Sequence, residues 1–404
     1  MSANPVIFEG ARTPFGRHGG AMSRLRVDEL AAAPIREVLK RSGLDGSEVE
    51  DVILGDTNQA GEDSRNVARN AALIAGLPQK VGGLTVNRLC GSGLAAVMDA
   101  GRAIRCGEGD MFIAGGVESM SRAPLVMSKA TSAFDRGQQI EDSTIGWRFP
   151  NKALLQHIGN DTMPQTAENV AERIGITREE SDTFAAASHQ KYEAALASGF
   201  FKGEIMDLEV PAAKRKAPPE ICNADEGPRP GTTVDGISGL KPIHGDGGVV
   251  TAANASGIND GAAALIIGDE AKGKALGLTP RARLVSAAIA GVEPRVMGLG
   301  PVDASKKALD RAGLTLDQMD VLELNEAFAA QVLGCLNQMG VAYDDPRVNP
   351  HGGAIAIGHP LGASGARLAL TAIRALEEQD KKYALVTMCI GIGQGIAAIF
   401  ERAE

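Results

Sequence analysis

Aromatic side chains are scarce in this chain: Phe, Trp and Tyr make up 3% of its 404 residues, with a single Trp. The 44% apolar content must therefore pack mainly as Ala, Val, Ile and Leu. Positive charge is not in excess either. Lys and Arg total 41 against 50 Asp and Glu, a net charge of −9. That balance argues against a nucleic-acid partner, which asks for a basic domain or stripe, but leaves room for a local basic patch on a phosphate-bearing ligand. The five cysteines, Cys90, Cys106, Cys222, Cys335 and Cys389, form no C-x-x-C pair and are odd in number. A disulfide framework is thus disfavoured and a reducing compartment expected. No apolar run approaches the ~18 residues that cross a bilayer, so no membrane insertion is expected. The opening MSANPVIFEGARTPFG lacks the charged-then-apolar layout of a signal peptide, and the closing FERAE is not a peroxisomal address. The expectation is a cytoplasmic protein. The glycine-rich runs lack the P-loop pattern G-x-x-x-x-G-K-[ST]. His351 and His359 lack the i,i+4 spacing of a helical metal pair, so no metal is expected.

Glycine, by contrast, is abundant, at 50 residues where about 7% is ordinary. The glycines cluster between apolar runs, which marks sharp turns and close backbone approaches rather than disorder. The length exceeds what one hydrophobic core usually absorbs, so two or three domains are expected.

The chain also contains itself twice. Arg41-Ser-Gly-Leu44 leads into Asp51-Val-Ile-Leu54, and Arg311-Ala-Gly-Leu314 leads into Asp320-Val-Leu322. Each reads as a helix end (helices over 28–41 and 303–312), a glycine cap and a buried strand. Val86-Asn87, Cys90-Gly-Ser-Gly93, a small-residue helix through Ile104 and Met111-Phe-Ile-Ala114 are matched in order. Their counterparts are Val348-Asn349, Gly362-Ala-Ser-Gly365, a helix through Leu376 and Tyr383-Ala-Leu-Val386. The helices LAAVMDAGRAI and ARLALTAIRAL are apolar on most faces and belong between layers. The class this implies is α/β, with helices sandwiched by sheets. The more polar stretch 121–246 has no repeat partner and reads as an insertion. The expected organisation is a first half at 1–120 plus 247–280, an inserted loop domain at 121–246, and a second half at 281–404.

Several residues have the chemistry of a site. Cys90, in NRLCGSG, sits between a strand and a helix whose N-terminus favours thiolate and binds oxyanions. Its bland counterpart is a small core cysteine. His359, in GHPLGASG, is held on an extended turn before proline and has the means to deprotonate a thiol or simply to brace the turn. Cys389, in VTMCIGIGQG, is a second thiol at a strand end, suited to moving a proton on and off carbon or to filling the core. Asn325 in ELNEAF ends the repeated strand. Ser256 in NASGIND and Arg229 in GPRPGTT suit contacts to a polar, phosphate-bearing ligand.

Taken together, NRLCGSG (87–93), GGVESMSRAP (115–124), NASGINDGAAA (254–264), NEAFAAQ (325–331), GGAIAIGHPLGASGAR (352–367) and MCIGIGQG (388–395) resemble the thiolase family over essentially the whole chain. The resemblance implies a duplicated five-layer α-β-α-β-α sandwich with an inserted loop domain for coenzyme A (CoA) and oligomer contacts. The implied acyltransferase cleaves 3-ketoacyl-CoA with CoA to acetyl-CoA and a shortened acyl-CoA, by ping-pong through a thioester on Cys90. It also implies His359 as the base for Cys90, Cys389 as the acid/base at the departing carbanion, and Asn325 holding a water with His359 in one oxyanion hole. The N–H groups of Cys90 and Gly391 form the other. Ser256 and Arg229 match CoA contacts, and Met163, Met297 and Phe328 match pocket positions. No cofactor is permanently bound, CoA and acetyl-CoA being substrates, and the family forms homodimers and homotetramers. In one departure, Thr162-Met163-Pro164 stands where many members read His-Met-Gly, so no histidine contact to CoA carries over there. Thr144-Ile-Gly-Trp-Arg-Phe149 and MPQTAEN resemble the β-ketoadipyl-CoA branch of aromatic degradation. Arg148 is there a candidate for a distal substrate carboxylate or a structural arginine beside the only Trp. The alternatives are a biosynthetic acetoacetyl-CoA thiolase, a ketoacyl synthase, for which a histidine is expected at Cys389, and a non-catalytic CoA- or lipid-binding relative.

Overall fold

A computed structural model describes residues 4–214 and 216–403. The extreme ends of the first and last expected segments therefore lie outside the described residues. The chain begins with β1 (Pro5–Arg12), β2 (Gly16–Arg17), α1 (Val27–Ser42), β3 (Asp51–Gly55), α2 (Val67–Ile74), β4 (Leu84–Val86), α3 (Ser92–Cys106) and β5 (Met111–Ser119). A polar stretch follows with β6 (Leu125–Met127), β7 (Ile140–Asp142), α4 (Lys152–Ile158), α5 (Met163–Ile174), α6 (Arg178–Ser198), β8 (Leu208–Val210), β9 (Glu220–Cys222) and α7 (Val234–Ser238). Then come β10 (Asn259–Asp269) and α8 (Glu270–Ala275), and after them β11 (Ala282–Gly291), α9 (Gly300–Ala312), β12 (Val321–Leu324) and α10 (Ala329–Met339). The chain closes with α11 (Ala354–Ile357), α12 (Leu361–Glu378), β13 (Tyr383–Ile390) and β14 (Gln394–Arg402). Both α1 and α9 end on left-handed glycines, Gly43 and Gly313.

The main sheet has ten strands in the order β12-β13-β14-β11-β1-β10-β5-β3-β4, with β2 attached to β10. Its two wings share a pattern. In each, a parallel pair (β3 with β5, β12 with β13) is followed by antiparallel neighbours. The wings join where β1 meets β11, through Val6 opposite Arg283 and Ile7 opposite Ala282. The alternation of α and β in each half dictates this mixed sheet, because a parallel pair needs a helical crossover.

Three apolar cores define five layers. Helices α1 and α2 cover the outer face of the first wing, and α9 and α10 cover the outer face of the second. Between the wings lies a central core of α3 and α12, rich in Ala, Leu and Ile. These two helices touch through backbone. A Cβ on Gly93 would sit 2.5 Å from the Gly362 carbonyl oxygen, and one on Gly362 would sit 2.6 Å from that of Gly55. Only glycine permits this approach, and it sets both helix N-termini side by side. The polar stretch is fastened to β1 by a buried ion pair set. Arg12 Nε meets Glu204 at 2.6 Å and its Nη1 meets Asp225 at 2.6 Å.

Candidate active site

Cys90 is presented by a strained turn between β4 and α3. Leu89 has φ +47°, a region that costs a non-glycine residue about 1–3 kcal/mol. Hydrogen bonds hold it there. Asn87 Oδ1 accepts the Leu89 N–H at 2.9 Å, while Ser92 Oγ accepts the Arg88 N–H at 2.8 Å and donates to the Leu89 carbonyl at 2.6 Å. The half-buried Cys90 sulfur accepts N–H groups from Gly391 and from its own backbone. These two donors do not win. Burial pushes the thiol up to about 11, with the Glu118 carboxylate adding to the rise and the two N–H groups opposing it. Desolvation of the anion outweighs the two N–H groups, so the thiol keeps its proton at neutral pH.

Gly391 follows the end of β13, and a turn through Ile392 (φ +63°) and Gly393 (φ +79°) leads into β14. Cys389, near the end of β13, is buried. Burial first, and then the neighbouring Cys90, hold its thiol well above the usual range. It carries its proton and is available as an acid.

His359 lies in a prepared cradle. Its N–H donates to Asn259 Oδ1 at 3.0 Å. Its Nδ1 is 2.6 Å from Ser364 Oγ, whose hydroxyl donates to the Pro360 carbonyl at 2.8 Å. With that hydroxyl proton engaged, Nδ1 carries the imidazole hydrogen and Nε2 keeps its lone pair. Asn325 Nδ2 donates to Nε2 at 3.3 Å. Burial, reinforced by Arg367, pushes the imidazole down to about 3, so the ring is neutral and Nε2 carries no proton. Among the described residues Asn325 Oδ1, which is buried, has no hydrogen-bond partner.

A cavity of about 150 Å³ brings Cys90, Gly391, Met163 and Arg148 together with Leu361, two residues beyond His359. Met297 and Phe328 pack in one cluster with Cys389, against Met163 and Ala255. The Ser256 N–H donates to the Ala327 carbonyl at 3.0 Å. Arg229 lies apart. It is exposed, lines a second cavity of about 360 Å³ and donates its N–H to His189 Nδ1 at 3.3 Å. His351 is a structural residue, 2.6 Å from Glu378 and stacked on Phe200. At Thr162, where no histidine was expected, His244 approaches from another loop, its Nε2 3.0 Å from Thr162 Oγ1. Among the described residues no group of three or more His, Cys, Asp or Glu is arranged to hold a metal ion.

Sequence reasoning passed over Asn259, Ser364 and Glu118, though all three lie inside motif blocks. Ser364 carried a signal, a hydroxyl in the first turn of a helix that follows His-Pro. Glu118 carried none. It is buried, accepts from Thr57 Oγ1 at 2.7 Å, the Asn58 N–H at 3.3 Å and the Gly362 N–H at 2.9 Å, and is pushed up to about 7 by burial.

Two family models cover nearly the whole chain: "Thiolase, N-terminal domain" over residues 5–271 and "Thiolase, C-terminal domain" over 278–402. The chain belongs to the thiolase family. A β-ketoadipyl-CoA thiolase of Escherichia coli is 59% identical over 397 residues, 98% of each chain. A 3-oxoadipyl-CoA/3-oxo-5,6-dehydrosuberyl-CoA thiolase of E. coli strain K12 matches at 59% over the same share. Human mitochondrial 3-ketoacyl-CoA thiolase in complex with CoA superposes with a TM-score of 0.91 at 37% identity, covering 99% of this chain and 98% of that one. The layered arrangement of sheet wings around α3 and α12 is thus the thiolase fold, and the chain is an acyltransferase.

Proposed function

We propose that this thiolase cleaves 3-oxoadipyl-CoA with CoA, giving acetyl-CoA and succinyl-CoA through an acyl-enzyme on Cys90. One observation carries the mechanism: the Cys90 sulfur lies under the Gly391 N–H beside protonated Cys389, while His359 keeps an unprotonated Nε2 that accepts from Asn325. Burial disfavours both the thiolate and the imidazolium, so the resting pair is neutral. The proton moves only as negative charge passes to the substrate oxygen. His359 Nε2 takes the Cys90 proton while the sulfur attacks the C3 carbonyl. The C2–C3 bond then breaks, its electron pair stays on C2, and Cys389 supplies the proton that completes acetyl-CoA. The thiol of a second CoA gives its proton to Cys389 and attacks the acyl carbonyl, and Cys90 leaves, recovering its proton from His359. The N–H groups of Cys90 and Gly391 hold the oxyanion at the acyl carbon. A water held by Asn325 and His359 serves the other thioester oxygen. Such donors contribute ~2.7–4 kcal/mol each.

Arg229 and Ser256 are assigned to CoA, with Met163, Met297 and Phe328 walling the thioester end. The segment 121–246 is assigned to CoA binding and subunit contact. It supplies Met163 and Arg229, and its β6–β7 hairpin exposes Leu125 (70%), Met127 (65%), Phe134 (97%) and Ile140 (64%), an apolar face of the kind subunits cover. With edge strand β4, this supports a homodimer or homotetramer. Five free cysteines fit the cytoplasm. Intact mass after mixing with acetyl-CoA tests the assignment. One added acetyl group in wild type, lost in Cys90→Ala, is the expected result. No adduct on folded wild-type protein would overturn the acyl-enzyme.

A further inference from the structure

Among the described residues, the cavity that Cys90 opens into has one charged side chain in its wall. Apart from the reacting thiol, Arg148 is lined up there with glycine, hydroxyl and apolar neighbours. We infer that Arg148 determines specificity by pairing with a carboxylate at the far end of the acyl chain, an inference that rests on the thiolase reaction proposed above.

Arg148 is aimed rather than adrift. Its Nη1 donates to Asn58 Oδ1 at 3.2 Å. Asn58 is itself buried and fixed, its Nδ2 donating to Ser143 Oγ at 2.9 Å and its N–H to Glu118 Oε1 at 3.3 Å. A guanidinium has five N–H groups in a planar fork matched to a carboxylate, and one of them is committed to Asn58. The acidic group that feels its charge, Asp63, is buried and turns Oδ1 to the N–H groups of Gly61 and Ser64. Among the described residues Arg148 forms no ion pair. Arg148 is half-buried, and a substrate carboxylate would supply an anionic partner for its remaining N–H groups. A neutral chain end would instead place a methyl group against the cation. Size points the same way. At about 150 Å³ the cavity is well below the ~300–1,000 Å³ of ordinary ligand pockets, which suits a short acyl chain ending in a charge.

The experiment compares 3-oxoadipyl-CoA with 3-oxohexanoyl-CoA, the same chain with methyl in place of carboxylate. The substrates are run on wild type, Arg148→Ala and Arg148→Lys in CoA-dependent thiolysis. The quantity read is the ratio of kcat/KM for the two. Both share one enzyme preparation, so partial misfolding of a variant leaves the ratio unmoved. The expected result is a wild-type ratio that favours the diacid, falls about 10- to 100-fold in Arg148→Ala, the scale of one lost charge-assisted contact, and recovers in part in Arg148→Lys. A purely structural role through Asn58 and Asp63 predicts equal losses on both substrates, and an unchanged ratio overturns the inference. Wild type that cleaves only the neutral substrate also overturns it, while the thiolase reading stands. Wild type that cleaves neither overturns that reading itself.

Discussion

The two wings of the sheet put equivalent positions to opposite uses. Val52 pairs with Ile113 and Val321 with Ala384. Counting four residues on from each valine aligns Asp56 with Asn325. Counting five on from their partners aligns Glu118 with Cys389. The matched glycine turns align Cys90 with Gly362. In the catalytic copy, Cys389 lies beside Cys90 and Asn325 reaches His359. In the other copy the position of the nucleophile has no side chain, and its N–H donates to Glu118 at 2.9 Å. There Asp56 and Glu118 are both raised by burial, and they tie the loop at Thr57 and Asn58 to the start of α12. A duplicated scaffold offers the same corner twice. On the proposed mechanism the first half contributes the nucleophile to the working corner and the second contributes both proton carriers, while the other corner is filled with carboxylates that brace it.

Removing Cys389 acts most severely on this comparison. Cys389→Ala should lose the positioned acid, typically ~10²–10⁴ in rate, read as loss of deuterium exchange into the acetyl methyl group of acetyl-CoA by NMR. Retained exchange would assign the proton to another group. Next is the helix contact. Gly362→Ala drives a methyl into the carbonyl oxygens of Val117 and Gly55 and should cost about 1–3 kcal/mol in denaturant unfolding. Cys90→Ala at the equivalent position, which removes atoms instead, should cost less than this. Equal losses would break the asymmetry. The mildest is Glu118→Gln, expected to lower kcat less than about tenfold, as for a residue that only positions others. Its signature is in stability. Glu118 is held up at about 7 from an ordinary 4.5, so folded protein keeps a proton that unfolded chain has released. This contribution is present below about 4.5 and lost as pH rises through about 7. The variant should therefore gain on wild type between pH 5 and 8 in denaturation midpoints. A constant difference would mean that Glu118 does not titrate in that window.

The fold class was legible because it depends on local order. Strand, glycine turn and apolar helix recur in two places, and helices such as LAAVMDAGRAI have no face for water. Candidates such as Cys90, His359 and Cys389 are legible too, since each sits at a strand end or helix start in a motif block. What stayed hidden depends on contacts far apart in sequence. Asn259 meets His359 across 100 residues, and Glu118 meets Gly362 across 244; neither leaves a local pattern. The burial that raises the Cys90 thiol is hidden for a related reason. A helix terminus is visible in sequence, whereas burial by segments distant along the chain is not.

The placement of Cys90 early and Gly391 late in the chain has a consequence for folding. On the proposed mechanism, the nucleophile lies in the first half, while its base, its acid and the amide above its sulfur all lie in the second. A first half without the second therefore holds, on that mechanism, a thiol with no base, acid or Gly391 amide beside it. Acylation then requires β13 and β14 to be in place, so it waits on the docking of the second half.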